Sequence, residues 1–363
     1  MIKLLVVDDS ALMRRLLADV FGQDDGFDLA FARDGLEALE RLETFRPDVI
    51  TLDINMPGLN GLETLDRIML HRPCPVVMLS ALTTEGAEET LEALTLGAVD
   101  FVAKPTGPVS LKIDALAGEL IETVRSAASA RVRRSHRLAE RVRMKTQSVA
   151  RAPDAPTRQA PEPSDRPSGV ELPGLVVIGA STGGPPALDA VLGALPEDFP
   201  WPVVVAQHMP ASFTGSLARR LDGFCRLHVV EAAQATRLEP GLVVVARGDA
   251  DMILSRRAGG IVALPVPQDE RRRWHPSVDR LVESARQVMP ADRLAGVLLT
   301  GMGNDGATAM TALQADGGWT VAESEQTAVV WGMPGELAKA GGATVIADLG
   351  AIGAHLVAAV RTR

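Results

Sequence analysis

The sequence predicts two doubly wound, mostly parallel α/β domains joined by a basic, proline-rich tether. Three observations carry that prediction. Short apolar runs alternate with stretches of helical spacing through residues 1–123 and again through residues 173–363. Residues 124–172 break the alternation, with Pro153, Pro156, Pro161, Pro163 and Pro167 among few apolar neighbours. Finally, Asp53 ends the apolar run Val49–Leu52, and the run Leu175–Ile178 leads into Gly179-Ala180-Ser181. Open parallel sheets place their chemistry just past such strand ends.

In the first domain, strands are expected at Lys3–Val7, Asp28–Ala32, Val49–Leu52, Val76–Leu79 and Val99–Ala103. Helical spacing marks Ala11–Phe21 and Leu36–Thr44 between them, and a fifth helix from near Val109 carries Ile113, Leu116, Leu120 and Val124 on one face. An Arg/Ala-rich stretch from Ala127 can prolong that helix. The tether beyond it cannot bury enough surface to offset ordering entropy. In the second domain, strand-like runs start at Leu175, Val203, Leu242, Ile253, Leu294, Thr320 and Thr344, separated by helical stretches such as Pro186–Ala194, Val278–Met289 and Gly306–Ala315.

Composition removes several function classes. Apolar residues make up 46% of 363, enough for two cores. No apolar run approaches the roughly 20 residues needed to span a bilayer, so membrane insertion is not expected. Residues 1–123 carry 10 basic and 22 acidic side chains, residues 124–172 carry 11 and 5, and residues 173–363 carry 16 and 19. Neither globular half is basic and there is no tyrosine, which disfavours nucleic acid as a partner. Two cysteines, Cys74 and Cys225, fall in different halves, and the first strand starts without a signal-peptide pattern; both point to the cytoplasm.

Asp8 and Asp9 follow the first strand and Asp53 ends the third. With strand order 2-1-3-4-5 these are neighbours, so three carboxylates converge at one edge, where a hard cation such as Mg²⁺ relieves their repulsion. Ser80 and Lys104 end the fourth and fifth strands. Taken together, Val7-Asp8-Asp9-Ser10, Leu52-Asp53-Ile54-Asn55-Met56-Pro57 with Gly61, Met78-Leu79-Ser80-Ala81 and Phe101-Val102-Ala103-Lys104-Pro105 resemble the receiver domain of two-component response regulators. The resemblance implies a flavodoxin-like (βα)5 fold in which Asp53 accepts phosphate from a histidine kinase. It further implies Mg²⁺ held by Asp8, Asp9, Asp53 and the Asn55 carbonyl, with Ser80, Phe101 and Lys104 reading the phosphoryl group.

Gly179-Ala180-Ser181-Thr182-Gly183 fits G-x-S-x-G, a turn that presents a serine hydroxyl; the same glycines also suit an anion-binding turn. A nucleophilic serine needs a base. Of six histidines, His136 lies in the tether, His71 in the first domain, His228 inside an apparent strand and His355 in a terminal helical stretch. His208 follows the run Val203–Ala206, at a strand end like Ser181. Its rival is His275, in a loop before a helix, where Ser277 and Asp279 read as helix cap and first-turn acid. Asp305, on the glycine-rich loop after Gly296–Thr300, is the orienting carboxylate candidate.

The segments Ile178–Gly184, Gln207-His208-Met209-Pro210, Pro276-Ser277-Val278-Asp279, Leu299–Gly306 and Gly332-Met333-Pro334 are similar to the catalytic domain of the chemotaxis protein-glutamate methylesterases. Receiver, tether and this domain in that order match the family's architecture. Trp274-His275 stands where the family commonly has His-Arg, and Gly248–Met252 lacks the aromatic or histidine often found there. The resemblance implies acyl transfer by Ser181, His208 and Asp305, with backbone N–H groups of Thr182 and Met302 as oxyanion donors and no metal in the esterase chemistry. Methyl-accepting chemoreceptors are the implied substrates, through ester hydrolysis and glutamine deamidation, and receiver–catalytic domain contact the implied control. Two other classes stand beside it: a transcriptional regulator, disfavoured by the acidic second half, and a ligand-binding module with an inert triad.

Overall fold

The computed structural model describes residues 1–81, 83–104, 113–131 and 172–362. The expected tether prolines, His136, Pro105 and the helix start near Val109 lie outside the described residues, as do the side chains of Ile113 and Leu116.

The first domain alternates β1 (Ile2–Val7), α1 (Ala11–Gly22), β2 (Phe27–Ala32), α2 (Gly35–Thr44), β3 (Val49–Asp53), α3 (Gly61–His71), β4 (Val76–Ser80), α4 (Thr84–Leu96), β5 (Asp100–Ala103) and α5 (Ile113–Ala128). Its strands pair in parallel in the order β2-β1-β3-β4-β5. The central strands are buried on both faces, which is why Leu4 to Val7 and Val49 to Leu52 read as unbroken apolar runs. Polar caps start the helices: Ser10, Asp34 and Asn60 each accept a hydrogen bond from a first-turn N–H. Helix α5 continues past the expected boundary at residue 123, because Val124 and Ala127 are buried against the first core.

The second domain runs β6 (Leu175–Ala180), α6 (Gly184–Gly193), β7 (Val203–Gln207), α7 (Ala211–Phe224), β8 (His228–Ala232), β9 (Thr236–Arg237), β10 (Leu242–Ala246), β11 (Asp251–Arg257), β12 (Gly260–Val266), α8 (Val278–Val288), β13 (Leu294–Leu298), α9 (Ala307–Ala315), β14 (Trp319–Glu323), α10 (Met333–Lys339), β15 (Val345–Ala347) and α11 (Leu349–Arg361). Seven strands form a parallel sheet in the order β15-β14-β13-β6-β7-β10-β8. From β6 the chain first builds outward through β7 and then returns to build β13, β14 and β15 on the other side. The switch point therefore lies between β6 and β13, where doubly wound sheets open a crevice. Strands β11, β12 and β9 form a separate antiparallel sheet; the run at Ile253 announced β11, but β12 and β9 were not announced, since the residues of β12 alternate between buried and half-exposed. No helix among the described residues is long and apolar enough to cross a membrane.

The two domains touch. Helix α4 packs against α6 and α7, so that buried residues of the receiver such as Leu91 and Leu94 join one continuous apolar cluster with Leu188 and Phe213.

Candidate active site

At the edge of the first sheet, Asp8 and Asp53 are buried while Asp9 is exposed, and one oxygen from each lies within 4.8 Å of the others. Lys104 Nζ sits 2.8 Å from both Asp8 Oδ2 and Asp53 Oδ2. One ammonium against three carboxylates leaves surplus negative charge on hard oxygen donors, a set that suits Mg²⁺. Burial pushes the Asp53 carboxyl above its ordinary range, partly opposed by the Lys104 hydrogen bond. Burial also works to lower Lys104, but its bonds to Asp53 and Asp8 outweigh this and hold it above the usual ammonium value. The Asn55 N–H donates to Asp53 Oδ1 at 3.3 Å. Gly61 is required by space: a Cβ there would lie 2.7 Å from Ile54 Cα. Ser80 is buried; its hydroxyl donates to the Gly86 carbonyl at 3.1 Å and accepts from Thr90 at 2.6 Å, tying the strand end to α4.

At the edge of the second sheet, neighbouring strands β13, β6 and β7 end together. The Ser181 N–H donates to the Thr300 carbonyl at 3.0 Å, and the Thr300 hydroxyl donates to the Thr182 carbonyl at 2.9 Å. Gly183 then turns left-handed (φ +74°) to start α6. Buried Gln207 reaches back with Nε2 to the carbonyls of Ser181 (3.0 Å) and His208 (3.1 Å), fixing the two backbones against each other. Gly301 brings the Met302 loop close to the serine, since a Cβ on it would lie 2.7 Å from Ser181 Cβ.

His208 Nε2 bonds Asp305 Oδ2 at 2.9 Å, and both side chains are largely buried, 8% and 5% exposed. Asp305 also accepts from the Val278 N–H (2.7 Å), the Asp279 N–H (3.0 Å) and the Ser277 hydroxyl (3.2 Å). It therefore sits on the N-terminus of α8, whose dipole and free N–H groups favour an anion. Burial alone would raise the Asp305 carboxyl, yet the His208 bond and the helix N–H groups hold it below its ordinary value. The other ring nitrogen, His208 Nδ1, is buried with no hydrogen-bond partner, and the Ser181 hydroxyl makes no bond to it here. Apo hydrogen bonds of this kind commonly tighten only with substrate.

His275, the rival base, has its own carboxylate. Its Nδ1 bonds Asp251 Oδ1 at 2.9 Å, and Asp251 also accepts from the Ser277 N–H (2.8 Å). Arg280 separates the two pairs: its Nη1 lies 2.7 Å from Asp251 Oδ2. Asp251 is thus already neutralised by a guanidinium. Among the described residues no cation except His208 pairs with Asp305.

Ser181, Thr182, His208, Met302, Trp274 and His275 line one cavity of about 550 Å³. The receiver forms its opposite wall. Asp100 accepts a hydrogen bond from the Thr182 hydroxyl at 2.5 Å, the Phe101 ring tilts against Phe213 with centroids 4.4 Å apart, and Glu122 pairs with Arg273. Trp274 lies parallel to the His208 ring at 6.1 Å. The expected site residues thus fall at the two sheet edges except Phe101, which lies within β5 and packs on Phe213. Sequence reasoning passed over Gln207, Asp251, Arg280 and Asp100. Gln207 was signalled by its place beside His208; Asp251 and Arg280 carried no signal of their own, because their meeting depends on where β11 packs against α8.

With that geometry established, comparison with known proteins is informative. A family profile described as CheB methylesterase matches residues 176–356, and one for the response regulator receiver domain matches residues 4–115. The chain is 53% identical over 357 residues, 98% of each chain, to protein-glutamate methylesterase/protein-glutamine glutaminase 2 of Rhodopseudomonas palustris. It is 51% identical to protein-glutamate methylesterase/protein-glutamine glutaminase 3 of Rhodospirillum rubrum, covering 98% of this chain and 95% of that one. Among solved structures, the Thermotoga maritima CheB methylesterase catalytic domain matches at 37% identity and TM-score 0.49, covering 51% of this chain and 97% of that one.

Proposed function

This chain belongs to the family of protein-glutamate methylesterases that carry a response-regulator receiver, and from that premise we propose that Ser181, His208 and Asp305 form its working triad. The activity is hydrolysis of glutamyl γ-methyl esters, and deamidation of glutamines, in chemoreceptors, controlled by phosphorylation of the receiver. The Ser181 hydroxyl attacks the γ-carbonyl while His208 takes its proton. Asp305 holds the ring and stabilises the imidazolium. The oxyanion is held by the backbone N–H groups of Thr182 and Met302, each worth roughly 3 kcal/mol of barrier. Methanol leaves from an ester and ammonia from an amide, after which water, deprotonated by His208, releases the glutamate.

Asp53 is the proposed phosphoacceptor, with a histidine kinase as donor. Asp8, Asp9, Asp53 and the Asn55 carbonyl would hold Mg²⁺, which supplies charge neutralisation for the incoming phosphoryl group. Lys104 then stands ready to pair with phosphoryl oxygens. The Asp100–Thr182 and Phe101–Phe213 contacts support a model of control in which the resting receiver closes the cavity. The proposed compartment is the cytoplasm, in keeping with two buried free thiols, Cys74 and Cys225.

One observation carries the reading: the buried Asp305 carboxylate bonds His208, which lines the same cavity as Ser181. Methanol release from methylated receptor membranes tests it. Ser181→Ala should abolish release, and Asp53→Ala should remove stimulation by a small-molecule phosphodonor. Unchanged release by Ser181→Ala would refute the triad.

A further inference from the structure

The N-terminus of α8 seats two carboxylates side by side. Asp305 takes the N–H groups of Val278 and Asp279, and Asp251 takes that of Ser277. Each carboxylate presents one imidazole to the same cavity, His208 through Nε2 and His275 through Nδ1. The triad uses only the first pair. The second is equally well built, with Asp251 fully buried and anchored by four donors: His275, Ser277, Arg280 and the Asp269 N–H at 3.1 Å.

The electrostatics of the second pair assign it a different task. Arg280 supplies a positive charge to Asp251 Oδ2, while His275 Nδ1 bonds the other oxygen, Oδ1. That bond places the proton on Nδ1, because an ionised carboxylate only accepts. In the neutral ring Nε2 is then a lone pair, and among the described residues it has no partner: Nδ1 makes the ring's one hydrogen bond there, and Nε2 is not among the buried unpaired atoms. The His275 side chain is 14% exposed and lines the cavity.

We infer that His275 is a specificity-determining residue, a fixed hydrogen-bond acceptor for the primary amide of a glutamine side chain. The two substrates of this site differ in one respect that such an acceptor can read. The amide leaving group carries N–H donors, and the methyl ester carries none. An acceptor in the cavity wall favours binding of the amide, while water satisfies the lone pair when an ester is bound. The inference rests on the methylesterase/glutaminase reading of the same cavity.

The test compares ammonia release and methanol release by the full-length protein with a phosphodonor present. The substrate is one receptor cytoplasmic fragment, prepared with glutamines or with methylated glutamates at the same positions. His275→Asn keeps a donor to Asp251 but removes the Nε2 acceptor, whereas His275→Gln places an amide oxygen near the Nε2 position. The ratio of deamidation to demethylation kcat/KM is the readout, so any loss common to both reactions cancels. It should fall roughly tenfold in His275→Asn, the scale of one partly solvated hydrogen bond, and recover at least in part in His275→Gln. A ratio that does not fall in His275→Asn, or that Gln leaves no higher than Asn, overturns the inference. Wild-type protein that releases neither methanol nor ammonia would instead sink the underlying methylesterase reading.

Discussion

The receiver pocket and the catalytic cavity are built alike and charged differently. Both lie beyond the carboxyl ends of parallel strands, and both bring aspartates from separate strands or loops to one rim. In the receiver, Asp8, Asp9 and Asp53 share a single Lys104. Charge is left over, and the pocket is completed by a cation and a phosphoryl group. In the catalytic domain, Asp251 and Asp305 are each saturated by helix N–H groups and an imidazole. Their acceptor sites are filled, so both carboxylates serve to orient rings. The distribution of neutralising donors, rather than the sheet, separates a phosphoacceptor from an acyl-transfer site.

That contrast breaks most sharply at Asp305. Asp305→Asn should lower stimulated methanol release by about 10³–10⁴-fold, since an amide can no longer hold the His208 tautomer or stabilise its imidazolium. Asp251→Asn should cost far less, roughly tenfold or below, because Arg280 and not the ring carries the balancing charge there. Equal losses at the two positions would return His275 to contention as the base. Phosphorylation of Asp53, followed with a radiolabelled phosphodonor, should be intact in both variants.

The wall between the two sites offers the next largest effect. Asp100 belongs to the receiver's β5 but bonds Thr182, next to the serine, and Phe101 beside it packs on Phe213. Asp100→Ala removes a charge-assisted hydrogen bond, so the unstimulated rate should rise roughly five- to tenfold. Phe101→Ala should act in the same direction. Methanol release without phosphodonor measures both. A fall or no change would mean that these contacts do not restrain the enzyme.

Much of this was legible in the sequence because parallel strands buried on both faces leave unbroken apolar runs. The residue after each run is then marked for the sheet edge, as Asp53, Ser181 and His208 were. Of the antiparallel sheet, only β11 was expected, from the run at Ile253; β12 escaped because half of its residues face outward and it carries Pro265 and Gly260 among its apolar positions. The pairing of Asp251 with His275 and Arg280 escaped for another reason. It joins residues 24 and 29 positions apart through tertiary packing, with no periodicity to announce it. Asp100 was hidden most deeply, since its partner lies in the other domain. His208 was favoured over His275 by its strand end; that Arg280 pairs with the carboxylate of His275 was not legible, since in the sequence Arg280 is only one more basic residue in a helix.

The smallest expected effect concerns the like charges that the catalytic site tolerates. Asp279 stands in the first turn of α8, and its Oδ1 accepts the Ala309 N–H at 2.8 Å. Burial, with the nearby Asp305 charge added, raises its carboxyl to about 6. A raised native value means that the folded protein binds this proton more tightly than the unfolded chain does. Stability from this group is therefore present at low pH and is lost as pH rises from about 4 through 6. The full shift corresponds to about 3 kcal/mol, which partial exposure reduces to roughly 1 kcal/mol. Asp279→Asn keeps an oxygen for Ala309 and removes the charge, so it should raise Tm at pH 7.5 by about 2–4 °C. The gain should be much smaller at pH 4.5, where wild-type Asp279 in the folded protein is itself largely protonated. A gain that is the same at both pH values would show that the carboxylate charge is not what the helix start resists, and would assign the effect to packing instead.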